Sequence, residues 1–431
     1  MAKIELTGSD VQFDEDGTLI RRTVLPAGVR VLSATVPHSR SVSVGIGVGA
    51  GSGDEVEGTF GATHFLEHLL FKGTANRTAQ QIAEETDYLG GEFNAATAKN
   101  QTFYYGHVFA DDLAPALDLL ADMVTSARLD PADMETERGV ILQELAMYAD
   151  DATDVAQDAL YSAVFGDHPL GRPVGGTPQT VSALERDALA AHFSAHYRPQ
   201  EIVVVASGAV EHEALRELVA ATLSSHGWNM NLSAPPDARR RFAPISYSSG
   251  IERRIDKPVE QSAVLLGMPA MPSDDPCRHT LSVLSMILGG GTSSRLFQAV
   301  REERGLAYAT YAFPALFPEG GLFALYAATA SESADEVSAL MRGTLEGMAD
   351  SGVTNEEVNS AIRRVRASLV FASEHASYQM NRLAAAELVA GYVESQDAVL
   401  DAVRAVTPDD VKSLAADLVR APLSTVIVGG K

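Results

Sequence analysis

The chain has 431 residues, 46% hydrophobic and 21% charged, with a net charge of −24, the composition of a folded protein with room for two domains. It shows no basic patch or arginine-rich run, which argues against nucleic acid as a partner, and its single cysteine, Cys277, excludes both an intrachain disulfide and a cysteine-based zinc site. The opening MAKIELTGSD lacks an apolar signal core and no run of 18 apolar residues occurs, so a soluble, cytoplasmic protein without a membrane partner is expected.

Leu19 to Thr23 and Val29 to Thr35 flank Pro26-Ala27-Gly28 and read as a hairpin. In Ser41 to Ala50, Val42, Val44, Ile46 and Val48 alternate with Ser43, Gly45, Gly47 and Gly49, a strand whose glycine face admits close packing. Gly61 to Gly73, GATHFLEHLLFKG, then places His64, Glu67 and His68 in the order His-x-x-Glu-His. On a helix, positions i and i+4 share a face and i+3 lies beside them, so two imidazoles can meet one cation with a carboxylate next to it. Phe65, Leu66, Leu69 and Leu70 bury the rest of that helix, and buried polar groups without partners are costly. Chance supplies this pattern on the order of 0.02 times in such a chain, and it is the inverted form of the His-Glu-x-x-His zinc-protease motif.

Thr78 to Leu89 reads as a helix capped by Thr78 and stopped by Gly90-Gly91, and Phe93 to Ala98 and Gln101 to Phe109 as strands. Asp111 to Ser126 is an amphipathic helix, and Asp130-Pro131 opens another that runs to about Tyr148. Glu137 and Glu144 stand two turns apart on one face of that last helix. A catalytic zinc site needs a third protein ligand and an open position, for which Glu144 is the candidate, with Glu137 behind the ligands. Spacing alone leaves open the plainer reading of a solvated acidic face on Glu135, Glu137 and Glu144. Ser182 to His196 is expected to be a helix with a second i, i+4 pair, His192 and His196, but no glutamate stands between them.

Glu201 to Val210 is a strand and Glu211 to Ser225 a helix; residues 227–250, with Pro235, Pro236 and Arg239-Arg240-Arg241, read as a linker. The second half repeats the first. Its strands Ser262 to Gly267 and Gly320 to Ala328 accompany helices Pro276 to Gly289, Arg295 to Glu303, Ser333 to Ser351 and Asn355 to Glu374. The closing LAADLVRAPLSTVIVGG parallels HFSAHYRPQEIVVVASG. Two copies of one α+β domain are therefore expected, residues 1–226 and 251–431, with metal in the first only. Gly289-Gly290-Gly291 lacks the Gly-Lys-Ser/Thr ending of a phosphate loop.

With these residues in hand the chain resembles the M16 (pitrilysin-type, inverzincin) metallopeptidases, most closely the short subfamily that includes the mitochondrial processing peptidase β subunit and its bacterial homologues. The likeness runs from about Leu19 to the C-terminus and rests on His64-Phe-Leu-Glu67-His68 with Phe71-Lys-Gly-Thr74, on ERGVILQE ending at Glu144, on Gly90-Gly-Glu-Phe-Asn94-Ala-Ala-Thr97 and on LGGGTSSRLFQAVREERGLAYATYA. The resemblance implies two homologous LuxS/MPP-like α/β-sandwich domains forming a clamshell. It implies one Zn²⁺ per chain on His64, His68 and Glu144, Glu67 as general base on zinc-bound water, and Glu137 as an accessory glutamate. Asn94 becomes a candidate on a substrate-lining strand, and Arg301 and Tyr308 become the family's arginine–tyrosine pair. The implied activity is that of a zinc metalloendopeptidase acting on unfolded peptides, in a homodimer as is common among bacterial members. A non-catalytic scaffold or a partner-dependent subunit of the same superfamily is the rival reading; the complete zinc motif and the presence of both Arg301 and Tyr308 speak against it.

Overall fold

The computed structural model describes residues 3–430. The first stretch contains β1 (Lys3–Glu5), β2 (Asp10–Glu15), β3 (Thr18–Val24), β4 (Arg30–Thr35), β5 (Ser41–Val48), α1 (Ala62–Leu70), α2 (Ala79–Leu89), β6 (Glu92–Thr97) and β7 (Thr102–Phe109). Then come α3 (Leu113–Ser126), α4 (Pro131–Asp150), α5 (Ala152–Phe165), α6 (Pro178–Ala183), α7 (Arg186–His196), β8 (Ile202–Gly208) and α8 (His212–Ser225). The remainder holds β9 (Glu252–Ile255), β10 (Ser262–Ala270), α9 (Arg278–Gly289), β11 (Ala307–Phe317), β12 (Gly320–Thr329), α10 (Ala334–Ser351), α11 (Asn355–Ser373), α12 (Ala376–Ala385), β13 (Tyr392–Glu394), α13 (Gln396–Arg404), α14 (Pro408–Arg420) and β14 (Ser424–Val428).

Among the described residues, one sheet has the order β2-β3-β4-β8-β5-β7-β6 and another β11-β12-β10-β14-β9. The two share a five-strand plan. In the first, β8 runs parallel to β4 and antiparallel to β5, and β5 is antiparallel to β7, which pairs with β6. In the second, β14 runs parallel to β9 and antiparallel to β10, and β10 is antiparallel to β12, which pairs with β11. The repeat seen between EIVVVASG and STVIVGG is thus a pair of equivalent central strands, β8 and β14, whose near-continuous apolar sequence suits strands buried on both faces.

The chain folds as two compact units, and they are not the contiguous stretches 1–226 and 251–431. One comprises the chain up to Leu145, Pro173–Arg240 and Phe371–Ser395; the other comprises Ala146–Arg172, Arg241–Val370 and the chain from Gln396 onward. Only the passage at Arg240 to Arg241 falls in the expected linker, 227–250. In the first unit α3 and α8 cover one face of the sheet and α12 the other; in the second, α10 and α14 cover one face and α5 the other. The physical reason is burial: each sheet exposes two apolar faces, and its own half of the sequence covers one. The glycine face of β5 shows the fit, because a Cβ on Gly47 would stand 2.8 Å from Leu388 Cδ1. The buried pair Arg22–Glu387 (Nε–Oε2 2.7 Å, Nη2–Oε1 2.9 Å) ties the borrowed segment to β3.

The expected helix Ser182 to His196 is instead two. Thr177 and Pro178 start α6, and Leu184 and Glu185 are extended before α7 begins. The segment expected as a helix from Arg295 to Glu303 is π-helical over Phe297–Glu302.

Candidate metal centre

The apolar face of α1 drives its placement. Phe65, Leu66 and Leu70 are fully buried in the first unit's core, which turns His64, Glu67 and His68 toward the half-exposed side. The helix begins at Gly61, whose backbone is left-handed (φ 93°) and which offers no capping side chain. Glu55 fills that role from outside the helix: its two carboxylate oxygens accept the N–H groups of Gly61 and Thr63, both at 2.8 Å. Thr63 Oγ1 in turn meets His192 Nε2 at 3.1 Å, so the second histidine pair packs behind α1 and serves its anchoring.

Helix α4 brings the remote carboxylates. Glu144 Oε2 stands 3.3 Å from His68 Nε2 and 3.8 Å from His64 Nε2. The three residues offer ligand atoms all within 4.8 Å of one another, the only such histidine–acid group among the described residues that could hold a metal ion. Bonds of about 2.0–2.2 Å to a tetrahedral zinc set ligand atoms roughly 3.3–3.6 Å apart, and the two distances from Glu144 to the imidazoles lie close to that spacing. Burial, and then the neighbouring His68, hold the His64 pKa below its ordinary value, which keeps the imidazole in the neutral form that can ligate. His68 points its other nitrogen, Nδ1, at Glu137 Oε2 (3.2 Å), and Glu137 Oε1 holds Lys72 Nζ at 2.9 Å. Glu137 is buried, at 2% exposure, and fixes which nitrogen of His68 faces the metal position.

Glu67 lies on the same helix beside these groups, and Thr97, the last residue of β6, donates its hydroxyl to Glu67 Oε2. Below them Tyr104 and Tyr197 share a hydrogen bond of 2.8 Å; burial raises both phenol pKa values, so both stay protonated. β6 is an edge strand, paired only with β7. Asn94 sits on the face of β6 opposite to Thr97, with its Oδ1 accepting from the Ala95 N–H at 2.8 Å, so the structure does not bring its side chain to the three ligand residues. Arg301 and Tyr308 lie in the second unit and pair with each other. Arg301 Nη1 donates to the Tyr308 carbonyl at 2.9 Å, its guanidinium stacks 4.7 Å from the Tyr308 ring, and Tyr308 is 73% exposed.

Residues 30–178 match the family model described as insulinase (peptidase family M16), and residues 183–365 match that of the peptidase M16 inactive domain. The chain belongs to peptidase family M16. This M16 chain is 40% identical over 410 residues to an uncharacterized zinc protease of Streptomyces coelicolor, covering 95% of the chain and 89% of the relative. It is 31% identical over 400 residues to the uncharacterized zinc protease YmxG of Bacillus subtilis, covering 93% and 96%. Its fold matches the crystal structure of a protease from Helicobacter pylori at a TM-score of 0.85 and 20% identity, over 96% of this chain and 99% of that one. A peptidase M16 inactive domain from Pseudomonas fluorescens matches equally well, at a TM-score of 0.85.

Three residues of this M16 centre escaped sequence reasoning. Lys72 follows His68 by four positions, a helical spacing that could have flagged it. Thr97 closes the Gly90–Thr97 run that carries the family resemblance, but nothing in that run assigned it a contact with Glu67. Glu55 precedes α1 by seven residues, outside any capping box, and nothing in the spacing points to it.

Proposed function

We propose that this chain is a zinc-dependent endopeptidase that hydrolyses unfolded peptides. The observation that carries the reading is the convergence of His64, His68 and Glu144 within 4.8 Å, with Glu67 beside them. A zinc ion held by those three would act as a Lewis acid and lower the pKa of water toward about 7. Glu67 accepts the proton of the attacking water as its oxygen adds to the scissile carbonyl carbon. It then delivers that proton to the departing nitrogen as the C–N bond breaks. Thr97 holds one carboxylate oxygen of Glu67 and leaves the other for the water. The edge position of β6 supports an extended peptide as the substrate form, since a sheet edge can receive a further strand through main-chain hydrogen bonds. The exposed phenol of Tyr308 is the candidate donor to a substrate carbonyl, oriented by Arg301.

The test is digestion of a mixed library of unfolded peptides by the purified protein, with and without chelator, alongside its zinc content. One zinc per chain and chelator-sensitive cleavage are expected, and Glu67→Gln keeps the zinc while losing cleavage. Continued cleavage by Glu67→Gln removes Glu67 as the base; a wild-type protein with zinc and no cleavage of any peptide removes the peptidase reading.

A further inference from the structure

We infer that Glu55 is a positioning residue of the metal centre, setting both the backbone of the first ligand's helix turn and the local charge that a cation meets there. The inference rests on the zinc reading above and extends it to a residue outside the ligands and their immediate partners.

Four observations carry it. Helix α1 starts without a side-chain cap of its own, on Gly61 at φ 93°. Glu55, 5% exposed, replaces the missing cap with both oxygens, on the N–H groups of Gly61 and Thr63 at 2.8 Å each. Thr63 is the residue immediately before His64, so the bond to Glu55 holds the Ala62–Thr63 peptide plane, one peptide ahead of the first ligand. The cap is also locked from behind: a Cβ on Gly61 would stand 2.8 Å from the Gly175 carbonyl oxygen, so the left-handed start admits no ordinary side chain.

The electrostatic half follows from where His64 stands. The first turn of a helix carries roughly half a unit of positive charge on its open N–H groups, a poor neighbour for a dication. His64, the third residue of α1, would hold its metal beside that turn. An anionic carboxylate on those N–H groups offsets the field, and a buried one does so with little screening by salt.

The test compares wild type with Glu55→Gln and Glu55→Asp at pH 8, above the value of about 7 to which burial lifts Glu55. Zinc affinity is read by competition with a chromophoric chelator on folded protein well below its Tm, and Co²⁺-loaded samples are compared by their visible absorption spectra. Glu55→Gln is expected to raise the zinc Kd about 10–100-fold, the range seen for groups that orient metal ligands. Glu55→Asp, which keeps the charge, is expected to raise it less. If Glu55→Gln does not fold, Glu55→Asp carries the test alone. A folded variant with a lower Tm and an unchanged Kd and Co²⁺ spectrum makes Glu55 a structural cap only and overturns the inference while wild type remains a zinc peptidase. Absence of zinc binding in wild type overturns the inference and the proposed function together.

Discussion

His68 directs Nδ1 to the buried carboxylate of Glu137 at 3.2 Å and so presents Nε2 to Glu144. A ring held this way has one tautomer and one orientation, and the carboxylate makes it a better donor to a metal. Glu137→Gln should raise the zinc Kd about 10–100-fold while the fold survives. Lys72, 38% exposed, can turn to water when its partner loses charge. Equilibrium competition for zinc checks this, and an unchanged Kd would show that the contact does not orient the ligand.

Thr97 gives Glu67 its one side-chain hydrogen bond on the strand side, at the end of an edge strand. Thr97→Val keeps the shape and the β-branch and removes only the donor. Hydrogen bonds to charged groups contribute about 1.5–3 kcal/mol, so kcat should fall by about 10- to 100-fold if the bond holds Glu67 in its working position. Zinc content should not change. A Thr97→Val protein with full kcat would leave the orientation of Glu67 to its own helix.

The site was legible because its core is a local pattern. His64, Glu67 and His68 are four residues apart on one helix, and helical geometry alone brings them together. Glu144 was legible more weakly: two turns from Glu137 on an acidic helix, it could equally have faced water. What could not be read is anything that depends on which element lies next to which. Nothing in residues 152–165 says that α5 packs on β10 and β14, or in residues 376–385 that α12 packs on β4, β5 and β8. Hydrophobic periodicity reports that a face is buried and not against what.

The exchange of segments makes a stability prediction of its own. Glu387, 1% exposed, takes Arg22 in a two-bond pair, and Arg239 Nη2 lies 3.2 Å from its Oε1. Removing the carboxylate strands a guanidinium that is itself buried at 5% exposure. Breaking one side of such a pair typically costs about 3–5 kcal/mol. Glu387→Ala should lose that much in denaturant unfolding, with early proteolysis between residues 371 and 395 as the borrowed segment loosens. A loss below about 1 kcal/mol would mean that Arg22 finds water.

Stability should also fall in mild acid, for a reason that lies behind α1. Burial depresses His192 to about 4, helped by Arg240, and burial with the neighbouring His192 depresses His196 to about 3. Both titrate near 6.5 in the unfolded chain. Their contribution is complete above that value and is lost as pH falls below it toward their folded values, because the unfolded chain then binds protons that the folded one refuses. Glu55 works in the opposite direction. Burial raises it from 4.5 to about 7, so its contribution is complete below the lower value and is lost as pH rises through the upper one. Between pH 6.5 and 4.5 two histidines therefore oppose one carboxylate, and the balance among these three groups is a loss of stability on acidification. Urea unfolding at several pH values across that window measures it. The double variant His192→Asn, His196→Asn should show a smaller acid loss than wild type or a reversed slope, since Glu55 remains. A variant that retains the whole acid loss would trace it to other groups.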